Sequence, residues 1–227
     1  MKYKFISLKK LLKTLDSYKY RQLHIHHTWK PDHSSFTGNN HVELQEIMAR
    51  YHKEVRKWDD IGQHITIFPD GKIVTGRDFA IDPCSIKHWN KNAFAVELVG
   101  NFDIYNNILE GAQLANILRI SAYFSYRFGL QCVKFHNEGP ETSKTCPGSS
   151  IIKQEFLSET KEVMRLEYNI KGVIFNDVGT DRYTYKAIDF LSSIGIFKGD
   201  GKGNFHPDKP LTREQAAIVI DAVLKKI

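Results

Sequence analysis

Apolar and polar residues repeat along the chain with two periods, one typical of helices and the other of strands. Four leucines within residues 8–15 fall on one face of a helix, which predicts an amphipathic helix. Residues 22–28 alternate instead, which predicts a strand. In such a strand His24 and His26 share one face, and His27 points to the opposite side.

The later segments follow the same two patterns. After a loop at residues 29–40, the helical period predicts a helix over residues 41–57, with an apolar face made of Leu44, Ile47, Met48, Tyr51 and Val55. Further strands, including a hairpin, are predicted at 61–67, 72–75, 93–99 and 131–135, and further helices at 108–128 and 150–167. This order predicts an α/β fold with a central mixed β-sheet flanked by helices.

Beyond residue 168 the pattern changes to that of a small α-helical module. Two helices are predicted, over residues 183–194 and 211–227, and the second begins with a Thr212-x-x-Gln215 capping box. A unit of about 55 residues has only a marginal core. We therefore predict two domains, residues 1–168 and 169–227, and expect the module to lean on the first domain or on copies of itself.

Composition excludes several classes of protein. Apolar residues make up 41% and charged residues 26% of the chain, which is typical of a globular protein. The net charge of +6 is spread along the chain, so we expect no nucleic-acid binding, although an anionic cell wall would attract this surface. No apolar run approaches the roughly 20 residues that span a bilayer, so membrane insertion is not expected. The first ten residues lack the apolar segment of a secretory signal, which predicts synthesis in the cytoplasm without export by that route.

Candidate chemistry is concentrated in the irregular segment from Phe135 to Gly148. It contains His136, Lys144 and Cys146. The chain has only three cysteines, and a small, odd number of cysteines does not suit a disulfide scaffold. With His26, the segment offers two imidazoles and a thiol. Catalytic zinc commonly uses three protein ligands and leaves a fourth position for water. Spacing alone leaves the alternative open that these histidines are only solvated or hydrogen-bonded.

Five ordered motifs strengthen this interpretation. They are Ile25 to Thr28, Asp60 to His64, Pro69 to Arg77, Leu98 to Phe102 and Lys144 to Gly148. Together they resemble the zinc N-acetylmuramoyl-L-alanine amidases of the phage lysozyme and peptidoglycan-recognition-protein family, over roughly residues 20 to 160. The resemblance implies hydrolysis of the amide between the lactyl group of N-acetylmuramic acid and L-alanine in peptidoglycan. It also implies Zn²⁺ as cofactor, bound by His26, His136 and Cys146.

The resemblance also implies two catalytic residues. Glu97 is a lone carboxylate inside an apolar strand, and it matches a catalytic glutamate of one branch of the family. Lys144 matches a lysine of phage members and would stabilise the oxyanion of the reaction. The alternatives are that Glu97 pairs with a buried arginine and that Lys144 is a solvated loop charge.

One position departs from the family pattern. Many members carry a tyrosine where this chain has Gln63, and glutamine cannot act as an acid or base. Either Glu97 performs the acid–base catalysis or the enzyme is impaired. The alternative function is non-catalytic peptidoglycan binding. The residues expected to contact substrate in the first domain are His41, Gln63, His64, His88 and Trp89. The alternative is that these side chains only pack within the protein.

Short motifs within residues 175–227 resemble one S-layer homology repeat. Such repeats bind secondary cell-wall polysaccharides and usually work in threes, so a single copy implies either self-association or weak binding. Arg213 is the expected contact for an anionic saccharide, the alternative being a solvated arginine. The two resemblances together predict a phage-type endolysin that acts at a Gram-positive cell wall after release by a holin.

Overall fold

One mixed sheet of six strands organises residues 2–226, which the computed structural model describes. The strands are β1 (Phe5–Ile6), β2 (Gln22–His27), β3 (Ile65–Ile67), β4 (Ile73–Thr75), β5 (Ala93–Leu98) and β6 (Val133–Phe135). Their order across the sheet is β1-β4-β3-β5-β2-β6. β4 runs antiparallel to β1 and β3, whereas β5 is parallel to both β3 and β2, and β2 is parallel to β6.

Helices cover the two faces of this sheet unequally. The helices are α1 (Leu8–Leu15), α2 (His41–Glu54), α3 (Gly111–Phe128), α4 (Lys153–Tyr168), α5 (Tyr185–Ser193) and α6 (Arg213–Leu224). α1, α3 and α4 pack on one face, where Leu23, Ile25 and Phe94 belong to the main core. α2 covers part of the other face through Leu44 and Met48. Over the rest of that face lies a cleft, which His26 of β2 and Glu97 of β5 help to line.

The predicted α/β fold with a mixed sheet is confirmed, and most predicted elements are present. The two-residue strand β1 was not predicted, because it is too short to show a period. The apolar face predicted for α2 is wrong in part, since Ile47, Tyr51 and Val55 are exposed. Gln45 and Ala49 occupy the buried side instead, and the Gln45 side chain donates a hydrogen bond to the Thr75 carbonyl.

The C-terminal module leans on the end of α3. Ile174 is buried in a cluster with Ala122, Leu130 and Met164. Backbone hydrogen bonds also join the two parts, from Thr180 N to Tyr126 O, from Asp181 N to Arg127 O and from Gln131 N to Asn176 O. The domain boundary between residues 168 and 169 remains a prediction. The residues that follow it, 174–181, pack against the first part of the chain and do not form a flexible linker.

The module ends in a helix with little packing of its own. Thr212 caps α6 with the predicted box, its hydroxyl accepting from Gln215 N while the Gln215 side chain accepts from Thr212 N. No residue of α6 is fully buried, and Ile218, Ile220 and Leu224 are exposed. The prediction for this helix extends to Ile227, which lies outside the described residues. Among the helices of residues 2–226, none is both long and apolar enough to cross a membrane.

Candidate active site

Strand β2 carries the first candidate ligand, His26, onto the face of the sheet that bears the cleft. Leu23 and Ile25 point into the main core, so the alternate residues His24 and His26 point to the opposite side. On the neighbouring strand β5, Glu97 lies directly opposite His26 in the parallel register. The strand period therefore puts an imidazole and a carboxylate side by side.

The other two candidate ligands arrive from the end of β6. Phe135 pairs with Ile25 across the sheet, so the next residue, His136, emerges beside His26, with 4.6 Å between the ring centroids. The loop then folds back, and Asn137 N donates to Cys146 O at 2.8 Å. The backbone N–H of His27 donates to Cys146 Sγ at 3.4 Å, which holds the sulfur at the end of β2.

The three side chains form a compact donor set. One potential ligand atom from each of His26, His136 and Cys146 lies within 4.8 Å of the others. His26 Nδ1 is 3.5 Å from Cys146 Sγ. A tetrahedral zinc ion, with bonds of about 2.1 Å to nitrogen and about 2.3 Å to sulfur, separates two such ligands by about 3.6 Å. Both the chemistry and the spacing of these donors therefore fit zinc.

Burial sets the protonation of these groups. It lowers the pKa of His26 well below its usual value and that of His136 to about 4, so both imidazoles are neutral at pH 7. Burial also raises the pKa of the Cys146 thiol, and the nearby Glu97 carboxylate raises it further. A cation must therefore displace a proton from sulfur in order to bind.

Glu97 faces the cleft without a partner. The side chain is partly exposed, and within residues 2–226 it makes no hydrogen bond or ion pair. Desolvation raises its pKa to about 8, and Lys144 acts in the opposite direction. Pairing of Glu97 with a buried arginine, the alternative considered above, is not observed in the described part of the chain: Arg77 is buried, but it contacts Asp59.

Around these groups lies a cleft of about 500 Å³. Its lining includes Glu97, Lys144 and Gln63 together with the three candidate ligands. Lys144 is exposed, whereas Gln63 is buried and donates from Nε2 to Thr66 Oγ1 at 3.0 Å. The buried Gln63 Oε1 has no partner among the described residues. The cleft thus combines a fixed amide, a carboxylate and an ammonium group near one donor set.

A family model described as N-acetylmuramoyl-L-alanine amidase matches residues 16–149, more than half of the chain. The chain belongs to the N-acetylmuramoyl-L-alanine amidase family. A second model, described as S-layer homology domain, matches residues 174–217. The amidase region therefore contains the candidate site, and the C-terminal module is an S-layer homology domain, as the motifs predicted.

Sequence relatives of the amidase region are much longer proteins. Over 80 residues, or 35% of this chain, it is 34% identical to the N-acetylmuramoyl-L-alanine amidase of Mus musculus. Over the same length it is 30% identical to that of Sus scrofa. The matched segments span 15% and 13% of those two proteins.

Solved structures show the same fold. The N-acetylmuramoyl-L-alanine amidase LysC from Clostridium intestinale is similar with a TM-score of 0.51 and 23% identity, over 63% of this chain and 87% of that chain. Drosophila PGRP-LB is similar with a TM-score of 0.50 and 22% identity, over 62% of this chain and 81% of that chain. At these identities the likeness establishes the fold alone.

Two of the predicted substrate contacts of the amidase are wrong. His41 is 1% exposed, with Nε2 at 2.9 Å from Asp70 Oδ2 and its ring against Phe36. His64 is 0% exposed, stacked on Phe94, with Nε2 on the Ile81 carbonyl. Buried side chains with internal partners cannot touch a polymer, so both residues serve packing.

The other predicted contacts remain predictions. His88 is exposed and its Nε2 lies 2.8 Å from Glu141 Oε1, and Trp89 lies under the Lys134 ammonium. Neither residue lines the cleft. Arg213 is the first residue of α6 and is exposed, far along the chain from the amidase region.

Sequence reasoning missed several residues at one end of the amidase cleft. Tyr51, His52, Arg56 and Trp58 all line it. The rings of His52 and Trp58 are 4.7 Å apart, and the Arg56 guanidinium lies 5.5 Å from the Trp58 centroid. The available signal was the density of aromatic and basic residues in the last turn of α2 and just after it, but the helical period assigned Tyr51 to the buried side.

Proposed function

We propose that this chain is a zinc-dependent hydrolase of the amide between the lactyl group of N-acetylmuramic acid and L-alanine in peptidoglycan. The observation that carries the proposal is the convergence of three zinc-type donors within 4.8 Å beside the unpaired carboxylate of Glu97, in an open cleft. Membership of the amidase family supports the same bond and the same polymer.

The residues of the cleft divide the work of such a hydrolysis. A zinc ion held by His26, His136 and Cys146 would act as a Lewis acid on the scissile carbonyl and activate water at neutral pH. The Glu97 carboxylate accepts the proton of the attacking water and passes it to the departing amide nitrogen. The Lys144 ammonium, on the rim of the cleft, stabilises negative charge on the carbonyl oxygen.

This division of roles gives Glu97 the acid–base role that Gln63 cannot perform. Its amide donates to Thr66 and cannot exchange a proton with substrate. Glu97 is the carboxylate that lies opposite His26 in the strand register, and its lack of a protein partner among residues 2–226 suits that role. A non-catalytic peptidoglycan-binding function is not favoured, because binding alone would not require an unpaired, desolvated carboxylate beside a metal-type donor set.

Digestion of purified cell walls tests the proposed reaction. The zinc-loaded protein is expected to release new amino groups without new reducing ends, because an amide and not a glycosidic bond is cleaved. A chelator should abolish release, and added Zn²⁺ should restore it. Release of reducing ends, or no release by protein that demonstrably contains zinc, would contradict the proposal.

The S-layer homology domain is proposed to hold the enzyme on an anionic wall polysaccharide. Arg213 is the proposed contact with that polysaccharide, and the single copy of the domain is proposed to self-associate. Arg213 supports this role because it is exposed and, within residues 2–226, has no acidic partner. A guanidinium in that state is free to contact a saccharide carboxylate.

Arg213→Ala is expected to weaken binding to purified walls about tenfold, the effect of one charge-assisted hydrogen bond. Co-sedimentation with walls measures the change, and hydrolysis of a soluble muropeptide should stay the same. The matched control is Arg50→Ala, which removes an exposed arginine from α2. A point substitution suits this test better than truncation, because Ile174 packs against the amidase region. Equal sedimentation of Arg213→Ala and Arg50→Ala would reject the role.

A further inference from the structure

A short chain of hydrogen bonds leads from the candidate metal centre into the protein. Ser85 Oγ lies 2.6 Å from His26 Nε2 and 2.9 Å from His24 Nδ1. The two histidines are two residues apart on one face of β2, so both rings reach the same hydroxyl. The Ser85 backbone is fixed in turn, because its N–H donates to Asn90 Oδ1 at 3.0 Å.

The direction of each hydrogen bond follows from the nitrogen that faces the donor set. His26 Nδ1 is the atom that lies 3.5 Å from Cys146 Sγ. If Nδ1 offers its lone pair to a metal, the ring hydrogen must be on Nε2, which then donates to Ser85 Oγ. The Ser85 hydroxyl is left free to donate its own hydrogen to His24 Nδ1.

The last member of the chain carries an unusual feature. With Nδ1 as the acceptor, neutral His24 holds its hydrogen on Nε2, and that atom is buried without a partner among the described residues. His24 is 0% exposed, so an apolar side chain would fill this space without leaving a donor unsatisfied. Packing alone therefore does not explain a histidine here, whereas acceptance of the Ser85 hydrogen bond does.

We propose that Ser85 and His24 are positioning residues of the metal centre, which fix the tautomer and the ring orientation of His26. The inference rests on the proposed zinc-dependent function. Partners on the outer nitrogen of a metal-binding histidine typically contribute about 10- to 100-fold to metal affinity. Neither residue contacts the donor atoms, and both act through His26.

Zinc affinity of the full-length protein tests this role directly. Competition between the protein and a chromophoric chelator for Zn²⁺ gives the Kd, and thermal unfolding of the zinc-free protein is recorded in parallel. Ser85→Ala is expected to weaken Zn²⁺ binding about 10- to 100-fold. Ser85→Thr, which keeps the hydroxyl, should bind nearly as the parent does. The matched control is Ser143→Ala, another serine of the same cleft, which should leave the Kd unchanged.

His24→Leu provides a second and independent measurement. It should weaken Zn²⁺ binding less than Ser85→Ala, because the serine oxygen can still accept from His26. It should also raise the melting temperature of the zinc-free protein, since an unsatisfied buried donor is removed. The double variant should bind zinc no more weakly than Ser85→Ala alone, because the two residues act in one chain.

The outcomes separate this inference from the function on which it rests. Failure of the parent protein to bind Zn²⁺ would reject the metal-dependent function itself. Tight binding by the parent and equally tight binding by Ser85→Ala would overturn the positioning role. A loss in Ser85→Ala that Ser85→Thr does not restore, or that Ser143→Ala reproduces, would also overturn it.

Discussion

Glu97→Gln is expected to lower kcat on a soluble muropeptide by about 10²- to 10⁴-fold, the usual contribution of a general acid–base group. The substitution keeps the size of the side chain and removes its ability to accept a proton. Bound zinc, measured by elemental analysis, should stay at the level of the parent protein, because Glu97 is not among the three donors. The reaction would thus fail at proton transfer in a protein that is otherwise intact.

The control for this substitution is Glu159→Gln. Glu159 is an exposed carboxylate on α4 and does not line the cleft, so its loss should leave kcat unchanged. A Glu97→Gln protein that holds zinc and retains the full rate would remove Glu97 from the mechanism. Loss of zinc together with the rate would instead assign it to metal binding.

The pH dependence gives a second test of Glu97. Desolvation, opposed by Lys144, raises the pKa of this carboxyl from 4.5 to about 8, and the charge of a bound Zn²⁺ would lower it from there. A base must be ionised to act, so the parent kcat/KM should rise with pH and level off between these two values. The residual kcat/KM of Glu97→Gln should not show this rise with pH.

Strand patterns allowed much of the site to be predicted. Alternation in β2 separates His26 from the core, and the apolar run of β5 makes Glu97 conspicuous as its lone charge. The irregular segment after β6 offered His136 and Cys146, and the resemblance strengthened their assignment as ligands. Parallel pairing of β2 with β5 places Glu97 beside His26, and parallel pairing of β2 with β6 places His136 just past the end of β6 on the same side. The loop after β6 then returns Cys146 to these residues.

Residues outside regular elements were harder to predict. Ser85 lies in an irregular segment with no period, so its contact with His26 depends on the path of a loop between distant strands. His41 and His64 are predicted from the sequence to contact substrate, yet in each the ring Nε2 has a partner inside the protein. Only the three-dimensional packing distinguishes such a histidine from one that lines a cleft.

Cys146→Ala is expected to bring activity down to the level of the chelated parent protein, because two imidazoles alone hold zinc far more weakly than the full donor set. Zinc content should fall in parallel. The control is Cys84→Ala, since Cys84 also lines the cleft but its sulfur contacts Arg77 rather than a candidate ligand. Full activity and zinc content in Cys146→Ala would exclude the thiol as a ligand.

The proton balance of zinc binding tests the same assignment with Cys146 left in place. His26 and His136 are neutral at pH 7 because burial lowers the pKa of both, whereas burial keeps the Cys146 thiol protonated. Zn²⁺ would also displace a proton from the Glu97 carboxyl, whose pKa is raised to about 8, so the count is made on the Glu97→Gln protein. In that protein, binding of one Zn²⁺ should release about one proton at pH 7, from the Cys146 thiol. Protons compete with the metal for sulfur, so affinity should increase with pH, by about tenfold per unit. Calorimetry in buffers of different ionisation enthalpy gives the proton count, and a count near zero would contradict a thiolate ligand.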